Sequence, residues 1–202
     1  MQRKYTNTIT KRTNKMLRII TGSAKGKKLI TLEGEATRPT SDRIKGAMFS
    51  SIQFDIENRR VLDLFAGSGQ LGLEALSRGA QSVTFVDLSR DAMDVVKKNA
   101  TALGFATSCR FSVSDYRNYM RKASGRESFD LVFIDPPYAM ECCGEALSAL
   151  VKYDMIIKGA LVVMESGSEV FDTESDIMSR FEVVKSQNYG KKTSLNILLY
   201  KG

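Results

Sequence analysis

From residue 61 onward the hydrophobic positions alternate between two kinds of grouping. Short apolar runs at Val61–Leu64, Val83–Val86, Cys109–Val113, Leu131–Ile134 and Leu161–Met164 predict strands buried on both faces, as in a parallel sheet. Between them lie stretches with helical spacing: Leu71–Ser77 closed by Gly79, Arg90–Leu103 closed by Gly104, and about Glu141–Lys152. Strand–helix alternation of this kind predicts a doubly wound α/β sheet. The final stretch, RFEVVKSQNYGKKTSLNILLY, holds two β runs joined through Asn188, Tyr189 and Gly190, so the sheet is expected to end in an antiparallel hairpin.

Upstream, Leu17–Leu32 contains two short β-rich runs around Gly22 and Gly26, the pattern of another hairpin. A helix is expected next, with Pro39 near its start and Thr40 or Ser41 as its cap. Ile44, Met48 and Ile52 recur every four residues, which predicts one buried face. Gly46 weakens that helix by about 1 kcal/mol relative to Ala.

Composition narrows the picture only modestly. The 202 residues suffice for one well-buried core and are few for two. No apolar stretch is long enough to span a bilayer, and the polar start MQRKYTNTITKRTNK lacks the apolar centre of a secretory signal. Cys109, Cys142 and Cys143 form no disulfide framework and no metal-ligand spacing, and there is no His. A cytoplasmic protein with no metal and no membrane partner is expected. Charge is more telling. Residues 1–60 hold 14 Lys/Arg against 5 Asp/Glu, while the remainder holds 16 against 18. A basic third beside a near-neutral body suggests an anionic partner such as nucleic acid. Residues 1–15 alone read as a solvated, disordered tail, whereas Arg18, Lys25, Lys27 and Lys28 belong to the patterned hairpin and suit phosphate contact.

Two motifs carry chemistry. Gly67-Ser68-Gly69-Gln70-Leu71-Gly72 matches G-x-G-x-x-G after a strand, and Asp87 follows Gly67 by 20 positions. Glycines there let backbone approach a ligand. Asp63, four residues before Gly67, would repel a pyrophosphate and favour a cation. S-adenosylmethionine has an ammonium and a sulfonium but no phosphate, and its ribose diol suits Asp87. Asp63 as a structural cap of the turn is the other reading.

The second motif ends FDLVFIDPPYAM. Prolines donate no N–H and fix φ, so Asp135 and the Pro136 carbonyl are rigidly displayed acceptors. Two acceptors can take both N–H groups of an exocyclic amine, and Tyr138 can stack on the base. A strand-ending turn with an incidental acid and aromatic is the plainer alternative.

Together DLFAGSGQLGLEALSRGA, FVD, FDLVFIDPPY and RIITGSAKGKKL…RPTSDRIKGAMF resemble the RsmD-type ribosomal RNA guanine-N2 methyltransferases, from about Met16 to the C-terminus. That resemblance implies a Rossmann-like class I methyltransferase: a seven-stranded, mostly parallel sheet ending in an antiparallel hairpin, with a small N-terminal extension. It implies S-adenosylmethionine as cofactor and one guanine of 16S ribosomal RNA, of the G966 type, as target. Asp63, Gly67 and Gly69 would line the methionine end of the cofactor, Asp87 would take the ribose and Asp115 the adenine amine, with Phe65 and Leu88 also among the cofactor-binding residues. Arg38, Thr40 and Phe49 would close the cofactor site, Arg43 would join the hairpin cations on RNA, and Asp135, Pro136, Pro137 and Tyr138 would form the catalytic loop. The implied organisation is a tail at 1–15, an RNA-binding extension at 16–55 and a catalytic domain at 56–202, with Met16 an expected start. A monomer acting on naked RNA or on an assembling 30S particle is expected. Lys45-Gly46 departs from the family's usual Arg-Glu, which bears on RNA contacts from that helix. A DNA adenine-N6 methyltransferase and a non-catalytic RNA-binding or assembly factor are the alternatives that the same residues leave open.

Overall fold

The computed structural model describes residues 17–32, 39–137, 140, 142–167, 176–190 and 193–202, with the side chains of residues 39–42 outside that description. The tail at 1–15, Arg38, Tyr138 and the Thr40 side chain therefore lie outside the described residues.

The elements follow the alternating pattern closely. They run α1 (Pro39–Ser51), β1 (Arg60–Asp63), α2 (Gln70–Ser77), β2 (Ser82–Asp87), α3 (Arg90–Leu103), β3 (Cys109–Val113), α4 (Tyr116–Ala123), β4 (Phe129–Ile134), α5 (Cys143–Lys152), β5 (Ile156–Ser166), α6 (Asp176–Ser179), β6 (Phe181–Asn188) and β7 (Ser194–Tyr200). One seven-stranded sheet has the order β3-β2-β1-β4-β5-β7-β6. The first five strands are parallel; β7 pairs antiparallel with both β5 and β6. A mostly parallel sheet closing in an antiparallel hairpin is what the residues predicted.

Local chemistry accounts for the boundaries. Ser89 caps α3 by accepting from the Ala92 N–H at 3.2 Å, and Gly104, at φ 78°, ends it in the left-handed conformation that glycine tolerates. Strand β5 begins five residues before the predicted run, because Ile156 pairs with Phe129 ahead of an irregularity in the β4–β5 ladder. Helices α4 and α6 were not expected. Behind α4's capping Asp115, however, Tyr116, Tyr119, Met120 and Ala123 form a buried stripe at helical spacing.

Strand side chains alternate between two apolar layers. Val61, Val83, Phe85, Leu131, Phe133 and Val163 pack against α1, α2 and α3. On the other face Leu62, Val86, Val132, Ile134 and Val162 meet α4, α5 and Met178 of α6. Residues 17–32 form an arm lying in the first layer, contributing Leu17, Ile19, Ala24 and Leu29 to its core. The predicted hairpin is present in reduced form, as a single antiparallel bridge between Arg18 and Lys28. Ile44, Met48 and Ile52 are buried as their spacing predicted. No helix among the described residues is long and apolar enough to cross a membrane.

Candidate functional site at the carboxyl ends of the strands

The sheet reverses direction of growth between β1 and β4, and open α/β sheets bind ligands in the crevice at such a point. Register gathers the predicted carboxylates there. Asp63 ends β1 level with Phe85 of β2 and Phe133 of β4, so Asp87 and Asp135 each stand two residues farther toward the carboxyl edge. Asp87 in turn is level with Val113, two residues before Asp115.

The loop between β1 and α2 is held from both sides. Leu64 N–H donates to the Phe133 carbonyl at 3.1 Å, and Ala66 N–H to the Val86 carbonyl at 3.0 Å. Gly67 and Gly69 have φ of 51° and 81°, a region costly for residues with a Cβ. A Cβ on Gly72 would lie 2.4 Å from the Phe85 ring, so that glycine serves the seating of α2 on the sheet.

Asp63 does two things at once. It is 2% exposed, and its Oδ2 accepts from the Gly72 N–H at 2.9 Å, so the structural-cap reading of this residue holds. Burial pushes its carboxyl up to about 7, the Gly72 hydrogen bond opposes that rise, and the nearby Asp87 charge adds to it. Two carboxylates crowded at the loop disfavour a pyrophosphate and favour a cation.

Asp87 is held by backbone. One oxygen accepts from Gly67 N–H and the other from Ser89 N–H, both at 2.8 Å, which fixes the carboxylate beside the loop. Next to it Leu88 is 75% exposed, and Val113, in register with Asp87, is also exposed, giving apolar surface for a flat heterocycle. Phe65 is half-buried with its ring 5.2 Å from that of Tyr116. Asp115 caps α4, accepting from Arg117 N–H at 2.9 Å and Asn118 N–H at 3.3 Å. Asp135 is half-buried and Pro136 buried, while the exposed Pro137 accepts through its carbonyl from Met140 N–H at 2.8 Å.

One expectation needs correction. Phe49 is fully buried, 5.6 Å from the Phe133 ring and under the Arg78 guanidinium, so it has no open ring surface for a ligand and acts in packing. Lys45, where the sequence departs from the family's usual Arg, is buried as well: its Nζ donates to the Arg18 carbonyl at 3.3 Å and lies 3.6 Å from Glu74 Oε2, which makes it a fastening within the protein. Arg18, Lys25, Lys27, Lys28 and Arg43 are exposed.

Sequence reasoning missed three residues: Glu74, Ser77 and Asn99 are buried polar groups that hold the arm. A signal existed for Asn99, a polar residue inside α3's buried stripe of Ala92, Met93, Val96 and Ala100. The described residues contain no cluster able to hold a metal ion.

Strand order, glycine loop and row of carboxylates define a class I, S-adenosylmethionine-dependent methyltransferase. The residues present fit that cofactor: a cradle restricted to glycine at its sharpest points, a fixed carboxylate beside it and apolar surface next to that. Comparison with known proteins narrows the class. The chain belongs to the RsmD-type family, whose family model, described as Conserved hypothetical protein 95, matches residues 17–198. It is 35% identical over 151 residues to Ribosomal RNA small subunit methyltransferase D of Haemophilus influenzae, covering 74% of this chain and 78% of that one. The protein of the same name from Escherichia coli K12 is 33% identical over 153 residues, 76% of each. Among solved structures, Escherichia coli yhhF superposes with a TM-score of 0.80 at 28% identity, covering 93% of this chain and 99% of the other.

Proposed function

We propose that this chain transfers a methyl group from S-adenosylmethionine to the exocyclic N2 of one guanine in small-subunit ribosomal RNA, at a site of the G966 type. One observation carries the reading. On adjacent strands the register sets Asp135-Pro136 beside the glycine loop, so a base held by the first reaches a cofactor held by the second. The names of the relatives support ribosomal RNA as the substrate class.

Gly67, Gly69 and Asp63 would hold the methionine end, Asp87 the ribose, and Leu88 and Phe65 the apolar surroundings of the cofactor. Asp115, already committed to capping α4, would meet the adenine amine with its remaining acceptor capacity. When bound, the cofactor supplies an electrophilic methyl on sulfur. What the chain does is orient the amine. Asp135 carboxylate and the Pro136 carbonyl accept its two N–H groups, leaving the nitrogen lone pair aimed along the line of displacement, with Tyr138 stacked on the base. Catalysis then rests on positioning and on acceptors fixed before the reaction. The methylated amine is acidic, and Asp135 or water takes its proton. The exposed cations Arg18, Lys25, Lys27, Lys28 and Arg43 grip phosphates.

Labelled methyl transfer is expected into small-subunit ribosomal RNA and not into duplex DNA; the reverse preference would restore the adenine-N6 alternative. Asp135→Ala should lower kcat by about 100-fold or more with cofactor affinity preserved. Near wild-type turnover in that variant would refute the mechanism. Mapping the nucleotide left unmethylated in a strain lacking the protein identifies the target.

A further inference from the structure

The arm is fastened by four buried polar side chains, one of them Lys45 of α1 on the Arg18 carbonyl and the other three on the catalytic body. Glu74 of α2 accepts from the Ile20 and Thr21 N–H groups at 2.7 and 2.9 Å. Ser77 of α2 donates to the Thr21 carbonyl at 2.6 Å and accepts from the Ala24 N–H at 3.0 Å. Both contacts stop at α2. Asn99 differs. Its Oδ1 accepts from Ile30 N–H at 2.8 Å, and its Nδ2 donates to the Ile30 carbonyl at 2.9 Å and to the Ser68 carbonyl at 3.0 Å. One 2%-exposed amide thus bonds the arm and the glycine loop together.

Ser68 sits between the two left-handed glycines, and Gly67 N–H holds Asp87. Ile30 lies two residues after Lys28, so a pull on the phosphate-facing end of the arm passes through a single side chain to the loop. Rotating a carboxamide cannot satisfy both partners separately, because Ile30 uses its donor and its acceptor at once. We infer that Asn99 is a positioning residue coupling RNA engagement by the arm to the geometry of the cofactor loop. RNA on the arm thereby tightens the loop, and by reciprocity the bound cofactor strengthens RNA binding. This rests on the proposed function only for the statement that the arm touches RNA.

The test measures the Kd of S-adenosylhomocysteine by calorimetry, with and without saturating small-subunit ribosomal RNA transcribed in vitro. Wild-type protein should bind about fivefold or more tightly with RNA present. Asn99→Asp keeps the acceptor for Ile30 N–H but loses both donors, and its ratio should fall toward one. Ser77→Ala, which loosens the arm without touching the loop, should weaken RNA binding while leaving the RNA-free cofactor Kd unchanged. A wild-type ratio near one, or a full ratio retained in Asn99→Asp, overturns the inference. Should Asn99→Asp not fold, amide hydrogen exchange on wild-type protein decides: RNA must protect Gly67 and Gly69, and no change in protection overturns the inference. Neutralising Lys25, Lys27 and Lys28 separates the two readings, since an unchanged salt dependence of RNA affinity means the arm is not the RNA site.

Discussion

On the α1–α3 face of the sheet the protein buries Lys45, Asp63 and Glu74, the buried charged residues among those described, together with Ser77 and Asn99. The α4–α6 face buries no charged side chain among those described, only the polar Thr84, Ser166 and Asn196, and keeps its ion pairs outside: Arg117 bonds Glu145 in the open, stacked over the Tyr116 ring. The arm explains the difference. Sixteen residues with four core side chains cannot be fixed by apolar area alone, and with one antiparallel bridge they have no ladder. Directional bonds to buried groups give the arm a unique seat. Close approach completes it: at φ 88°, a Cβ on Gly22 would fall 1.8 Å from the Ser77 carbonyl oxygen. The other face carries no such appendage, and its buried polar side chains bond within the sheet, as Ser166 does with Ser194 and Asn196 with Ser186.

The sharpest break in this contrast is Glu74→Ala. It leaves Lys45 buried without its carboxylate and two arm amides without an acceptor, so it should cost about 3–5 kcal/mol. A denaturant midpoint together with exchange at the Ile20 and Thr21 amides checks this. A loss no greater than that of the corresponding change on the opposite face would remove the distinction.

A smaller effect is expected at Asp63, and its sign follows from its environment. Folding raises its carboxyl from 3.8 to about 7, so between those values the folded chain binds more protons than the unfolded one. The contribution to stability is therefore full below about pH 4 and is lost as pH rises toward 7. Asp63→Asn keeps an acceptor for Gly72 N–H and should abolish that dependence. In thermal melts across this range, wild-type and variant curves should converge at acid pH and separate in the variant's favour toward neutrality. Parallel curves would mean that Asp63 titrates normally.

The smallest change is expected at Glu145→Gln. Both partners of the Arg117 pair are about half exposed, and such pairs add little. Its denaturation midpoint should match wild type, and a clear loss would show that the α4–α5 surface is held by charge after all.

The residues made much of this visible in advance. Apolar runs marked the parallel strands, and α3 falls at the predicted Arg90–Leu103, but β3 lies at the sheet edge with none of its residues buried, where burial on both faces was expected. Asp63, Asp87 and Asp135 could be assigned to one crevice because each ends an apolar run and parallel strands share an edge. Phe49 could not be placed so easily. Helical spacing says that a face is buried and does not say whether a ring on it meets a ligand or another ring.

What the sequence determined by itself was local: the alternation of period, the breaks at glycine and proline, and carboxylates at strand ends, all set by backbone sterics and side-chain polarity within a few residues. Only tertiary structure decided the partners of Lys45, Glu74 and Asn99. Glu74 bonds the arm 53 and 54 residues away, and Asn99 bonds it 69 away. A buried polar group must find a partner, but chain spacing does not tell which; packing around the sheet chose it.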